Sequence, residues 1–189
     1  MLVTNITAMG RWERTHDMLT RAALELFAEQ GYDATATAQI AERAGVSEMT
    51  LFRHFPTKEA LLLADPYDPL IADAVRSRPT AEPAMRALVE GIRQTWSGVD
   101  AQGTAALRTR LRIVAEAATL RGAAERSSGA TITALTDALA DRGVAVEEAR
   151  VAATAVIAGL SVALLEWARS DRTALEDALN RALSVLGGA

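Results

Sequence analysis

Apolar residues recur at intervals of three and four along almost the whole chain, and no run of four or more alternates at the period of two that a strand requires. The pattern predicts helices and no sheet. The first helix spans about Trp12 to Gln30, with Met18, Ala22, Leu26 and Phe27 on one face and Gly31 placed to end it. A short helix follows over about Thr37 to Ala44, then the turn Gly45-Val46-Ser47, then a third helix over Glu48 to His54 whose first N–H groups Ser47 can cap. Phe55-Pro56-Thr57 breaks the chain, and a helix from Lys58 carries Leu61, Leu62 and Leu63 as far as Asp65-Pro66-Tyr67-Asp68-Pro69, where Pro69 suits a first helical turn. Longer helices are predicted near 69–77, 82–97, 104–120, 123–141, 146–169 and 172–186. The expected organisation is a flexible tail over 1–10, a compact head over 11–63 and a helical body over 64–189.

Composition sharpens this to an all-α fold. Alanine fills 40 of 189 positions and aromatics only 4%, so the apolar mass is small and favours helices. With no Cys and two His, thiol chemistry, disulfides and the usual zinc sites are excluded, and no cofactor is called for. The net charge of −4 is spread evenly: residues 1–63 carry 6 bases and 8 acids, the rest 14 and 16, so charge alone gives no argument for nucleic acid. The N-terminus lacks the basic-then-apolar order of a secretory signal. The longest apolar stretch, Val151 to Leu165, has 15 residues, short of the ~18–20 that cross a bilayer. A buried helix in a cytoplasmic protein that does not enter a membrane is expected.

Two short helices joined by a turn containing Gly45 have the form of a helix-turn-helix, whose second helix enters the DNA major groove. Small residues where the helices would cross, Ala41 and Ala44, meet its packing requirement. A longer string extends the match: Ala22 to Tyr32, AALELFAEQGY; Ile40 to Ser47, IAERAGVS; and Thr50 to Leu62, TLFRHFPTKEALL. Over about residues 13 to 63 the chain resembles the N-terminal domain of the TetR family of transcriptional regulators. The resemblance implies a homodimeric repressor of a near-palindromic double-stranded operator, with a helical C-terminal domain that binds a small effector.

Carried over by position, the resemblance makes Glu48 to His54 the recognition helix, with Met49, Thr50, Phe52 and Arg53 on it, Thr50 toward the bases and His54 toward a phosphate. Thr37 opens the preceding helix at a position that often contacts the backbone. Phe52 stands where relatives often carry Tyr, and Ala38 where some carry a base-reading Arg. On the residues alone, Phe52 and Phe55 read as packing residues and His16 as solvated. Lys58 is the only Lys, the other 19 bases being Arg. A cation in a first helical turn opposes the helix dipole by ~0.3–1 kcal/mol, which an adjacent phosphate would offset; pairing with Glu59 or another acid is the alternative.

In the body, Met85, Leu88, Ile92 and Trp96, with Leu107, Leu111, Val114, Leu135 and Leu160, form apolar faces that fit either a filled core or, as the resemblance implies, a ligand pocket. Such a pocket would suit an aliphatic ligand, and the segment Asp65 to Ile71 resembles family members with acyl-CoA-type ligands. Arg108, Arg110, Arg112 and Arg121 could hold an anionic group. The nearly all-round apolar helix over 146–169 and the leucine stripe after it are expected to pair with a second copy through Ala152, Ala155, Val156, Gly159, Leu160, Ala163, Leu164, Leu179 and Leu183. Gly159 would let the partner approach closely. An enzyme finds no support in any motif; a helical protein-interaction module that has kept the fold without specific DNA binding is the alternative function.

Overall fold

The structure, a computed structural model, describes residues 10–64, 67–170 and 172–187. The expected tail over 1–10 thus falls, but for Gly10, outside the described residues, as do Asp65 and Pro66 of the expected break. Among the described residues there are helices and no strands. In order they are α1 (Arg11–Gln30), α2 (Thr37–Arg43), α3 (Glu48–His54), α4 (Ala60–Leu63), α5 (Asp68–Arg76), α6 (Ala84–Trp96), α7 (Ala101–Glu116), a 3-10 turn (Ala118–Leu120), α8 (Arg121–Ala140), α9 (Val146–Arg169) and α10 (Leu175–Gly187).

Local chemistry accounts for most of the boundaries. Gly31, at φ +86°, donates to the Phe27 carbonyl and ends α1. Ser47 Oγ accepts the Thr50 N–H at 3.2 Å and caps α3. Asp100 Oδ1 accepts the Gly103 N–H at 2.8 Å and starts α7 three residues earlier than the pattern predicts. Lys58 lies in the turn before α4 and not in its first turn, because α4 holds only four residues from Ala60. The dipole argument for Lys58 therefore falls away.

Two apolar clusters hold the chain. In the head, Leu19, Ala23, Phe27, Ile40, Leu51, Phe55, Leu61 and Leu62 pack together, and Ile113, Ala117 and Leu120 from beyond the head complete the same cluster. Met18, expected with the core, is exposed. In the body, α9 lies among α6, α7, α8 and α10, and Val75, Leu88, Ile92, Leu135, Leu139, Val156 and Leu183 are buried together.

The packing of the body bears on two expectations. Leu88, Ile92, Leu107, Leu135 and Leu160 are buried in one packed cluster, with Met85, Trp96 and Leu111 against it. Val114 packs instead on the head cluster. These side chains meet each other, since the apolar faces of α6, α7, α8 and α9 converge. Grooves of about 610 Å³ and 400 Å³ open elsewhere, on the outer side of α9 and between α1 and α2.

The second is the expected interface. Ala152, Val156, Leu160, Leu179 and Leu183 are buried in their own chain's core. At Gly159 a Cβ would stand 3.0 Å from Leu186, so the glycine serves the packing of α10 of the same chain. Ala155 is exposed, and Ala163 and Leu164 are partly buried. The face of α9 left outward carries Val151, Ala155, Ala158 and Val162, and on α10 Val185 is exposed. α9 is long and apolar enough, by length and composition, to cross a membrane, and a third of its most apolar stretch is buried.

The arginines of α7 also find work inside the fold. Arg108 donates to the carbonyl of Ser170 at 2.5 Å and lies 4.1 Å from the Trp167 ring centroid, and Arg112 donates to the Ala168 carbonyl at 2.7 Å. Both place positive charge on the free carbonyls at the C-terminal end of α9, where the helix dipole favours it.

Candidate nucleic-acid interface

The interface is built from the turn outward. Gly45, at φ +69°, takes a left-handed conformation that an L side chain adopts only under strain, and Val46 N–H returns to the Ala41 carbonyl at 2.9 Å. The turn lets α3 cross α2 with Ile40, Ala41, Ala44 and Leu51 buried between them. Leu51 is the inward residue of α3, so the residues around it face out: Met49 is 75% exposed and Phe52 44%, with Glu48 and Arg53 exposed and Thr50 partly so. Phe52 is therefore not a core residue, contrary to the expectation from sequence, whereas Phe55 is.

Several predicted contacts are already engaged. The Thr37 hydroxyl donates to Glu48 Oε1 at 2.5 Å, which ties the start of α2 to the start of α3. Thr50 Oγ1 lies 3.0 Å from Ser47 Oγ. Glu48 keeps further lone pairs, and a carboxylate here can accept from a cytosine amino group in the major groove. On the far side of α2, Arg43 is held by Glu29 at 3.0 Å and Glu25 at 3.5 Å. The guanidinium holds the Glu29 carboxyl below its ordinary range, chiefly through their hydrogen bond. That part of the head's acidity is neutralised away from α3.

The Lys58 ammonium stands 4.2 Å from the Tyr32 ring centroid and 5.9 Å from that of Phe27. Burial lowers its pKa, and Asp33 and Glu59 act in the opposite sense. The same burial, with Glu59 and Asp33, raises the Tyr32 phenol to about 12. Lys58 is thus seated on an aromatic face as well as beside acids, and the aromatic face is what the sequence alternatives of a phosphate or an acid did not include.

His54 closes the interface and brings in residues that sequence reasoning passed over. Its ring stacks on Trp12 of α1, with centroids 3.6 Å apart and planes at 23°. His16, one turn further along α1, lies 5.8 Å from His54 and 4.2 Å from Phe55. His16 is not solvated as expected; its Nδ1 is buried, and so is that of His54. Trp12 and His16 stand four apart on one helical face, and that spacing was the available signal.

Residues 19–64 match the family of bacterial regulatory proteins, tetR family. The regulator TcmR of Streptomyces glaucescens is 43% identical over 77 residues, which cover 40% of this chain and 34% of that protein. RutR of Escherichia coli is 51% identical over 43 residues, 23% of this chain and 20% of its own. The head is similar to the DNA-binding domain of the TetR family. The chain spans about a third or less of the length of these curated relatives. In the solved structures the likeness runs further: FadR of Bacillus halodurans, a fatty acid degradation regulator, superposes with a TM-score of 0.61 at 20% identity over 97% of this chain and 98% of its own. NalD of Pseudomonas aeruginosa, a secondary repressor of a multidrug efflux pump, gives 0.59 at 21% identity over 93% and 95%. At those identities the likeness concerns the fold, and it takes in the body as well as the head.

Proposed function

We propose that the protein is a DNA-binding transcriptional regulator whose α3 enters the major groove, with Thr50 toward the base edges and Thr37, Arg53, His54 and Lys58 toward phosphates. The observation that carries this reading is the outward face of α3: a seven-residue helix, pinned by Leu51, that turns Glu48, Met49, Phe52 and Arg53 to solvent beside the Gly45 turn. Repression by occupying promoter DNA is the simplest consequence.

The reading includes a homodimer. The outer face of α9, with Val151, Ala155, Ala158 and Val162, is apolar and uncovered in the single chain, and a patch of that kind on a water-soluble protein marks an interaction site. Covering it with the same face of a second copy sets two α3 helices on one duplex, at half-sites about one helical turn, ~34–36 Å, apart. The effector we propose is small and aliphatic, of acyl type, and it binds among Leu88, Ile92, Leu107 and Leu135. Since those side chains are packed together, the ligand must open the body to enter, and it acts only by binding that opened state better than the closed one.

Selection of duplexes from a random pool tests the DNA reading. The expected product is a near-palindrome bound with an affinity that falls steeply with salt. Arg53→Ala should weaken binding across sequences and reduce the salt slope by about one, while Thr50→Ala changes the preferred sequence. If the wild-type protein selects no duplex, the exposed Met49 and Phe52 become the mark of a protein-docking surface instead.

A further inference from the structure

The first turn of α1 belongs to the same surface as α3. Trp12 is 55% exposed, unusual for an indole with a folded core beside it, and its ring partner among the described residues is the His54 imidazole at 3.6 Å. The His54 ring also lies 5.8 Å, centroid to centroid, from that of His16 of the same helix α1. The imidazole is partly exposed, yet its Nδ1 is buried and has no hydrogen-bond partner. Nε2 is therefore the nitrogen left to meet a ligand.

We propose that Trp12 is a positioning residue of the DNA interface: its indole holds the His54 imidazole against α1, uncharged, with Nε2–H directed outward as a hydrogen-bond donor to the DNA backbone. The proposal rests on the DNA-binding reading above and adds to it a residue outside the helix-turn-helix. An imidazolium needs acceptors for both of its N–H groups, and the buried Nδ1 has none. The neutral tautomer with its proton on Nε2 leaves only a lone pair at Nδ1. The titratable and charged groups that bear on His54 are His16 from α1 and Arg53 from α3, and both oppose a further positive charge; with burial as the largest cause, they lower its pKa from the ordinary value. A neutral donor makes a phosphate contact that does not depend on pH around neutrality.

The test compares Trp12→Ala, Trp12→Phe, His54→Ala and the double variant Trp12→Ala/His54→Ala in the full chain, with circular dichroism to confirm the fold. In the DNA-free proteins, NMR titration should show the His54 midpoint moving up in Trp12→Ala toward the ordinary ~6.5, and staying near the wild-type value in Trp12→Phe. Against the duplex that the wild type selects, wild-type affinity should change less between about pH 6 and 8 than that of Trp12→Ala, across the range where an ordinary histidine changes charge. Trp12→Ala should lose roughly tenfold at about pH 8, the size of one hydrogen bond to a charged group, and recover part of it at about pH 6 as the freed imidazole charges. The double variant should bind no worse than His54→Ala. Loss in the double variant beyond that of His54→Ala overturns the proposal, since Trp12 then acts on its own. An unmoved His54 midpoint in Trp12→Ala also overturns it, as does wild-type affinity for that variant at every pH. Those failures leave wild-type DNA binding intact, whereas failure of the wild type to select any duplex overturns the functional reading and this proposal together.

Discussion

Head and body are made of the same material, short-side-chain helices, but their surfaces are organised differently. In the head α2, α3 and α4 are brief, and turn chemistry fixes the orientation of α3: Gly45 and Ser47 set it, and a single buried leucine, Leu51, decides which residues face out. In the body the helices are long, and α9 presents small apolar residues on almost every side, so its inward face is chosen by fit against α8 and α10. A surface set by turn chemistry is specified residue by residue. One set by packing is specified only as a whole.

The largest expected effect lies in the body and separates its inner from its outer face. Leu160 is 6% exposed and Val162 is 65% exposed on the same helix. Leu160→Glu forfeits the ~2–5 kcal/mol of a buried leucine and forces a carboxylate into an apolar site, a large part of a typical ~5–15 kcal/mol total stability. The body should unfold, seen as loss of a cooperative thermal transition. Val162→Glu should leave that transition nearly unchanged and yield monomers in sedimentation, with specific DNA binding lost because two half-sites are no longer engaged together. A folded dimer from Val162→Glu would place the interface elsewhere.

The contrast has a limit, because the head does not hold its core alone. Leu120, wholly buried, comes from the 3-10 turn between α7 and α8 and packs with Phe27, Leu61 and Leu62, and Thr119 donates to Asp33 at 2.6 Å nearby. Leu120→Ala should destabilise by ~2–5 kcal/mol and, although the residue lies outside α2 and α3, lower DNA affinity. Amide hydrogen exchange should show α1 and α4 losing protection together with the end of α7. Protection lost only in the body would separate the two regions more sharply than the shared cluster suggests.

The same contrast explains what could be read from the chain. α3 and α9 have the bounds that the apolar pattern predicts, and the TetR resemblance of the head is met by the family match over 19–64. The outward or inward sense of α9 was not legible. Its small residues satisfy several packings equally, so Ala152, Val156 and Leu160 could be drawn toward a partner when they face the chain's own core. Gly159 was read as a close approach, which it is, but the neighbour is Leu186 of the same molecule. In the head, the sequence showed His54 and missed the stack that holds it. The motif ends short of Trp12, and contacts between α1 and α3 depend on a crossing that no local pattern encodes.

The smallest effect offers the finest comparison, because head and body each begin a helix with the same device. Ser47 Oγ accepts from Thr50 N at 3.2 Å, and Asp100 Oδ1 from Gly103 N at 2.8 Å. Removing either cap by substitution to alanine should cost ~1 kcal/mol of stability, read as similar small shifts in denaturant midpoint. The consequences for DNA should differ. α3 has seven residues, barely two turns, and Ser47 also contacts the Thr50 hydroxyl, so fraying its first turn displaces Glu48 and Thr50 from the groove. α7 has 16 residues, and its far end, which reaches the head, lies four turns from Asp100. Ser47→Ala should therefore weaken binding to the selected duplex several-fold, up to the roughly tenfold that ~1.4 kcal/mol represents, while Asp100→Ala leaves it unchanged. Equal losses in DNA affinity would mean that the body transmits small changes in helix stability to α3, and that the two regions act as one.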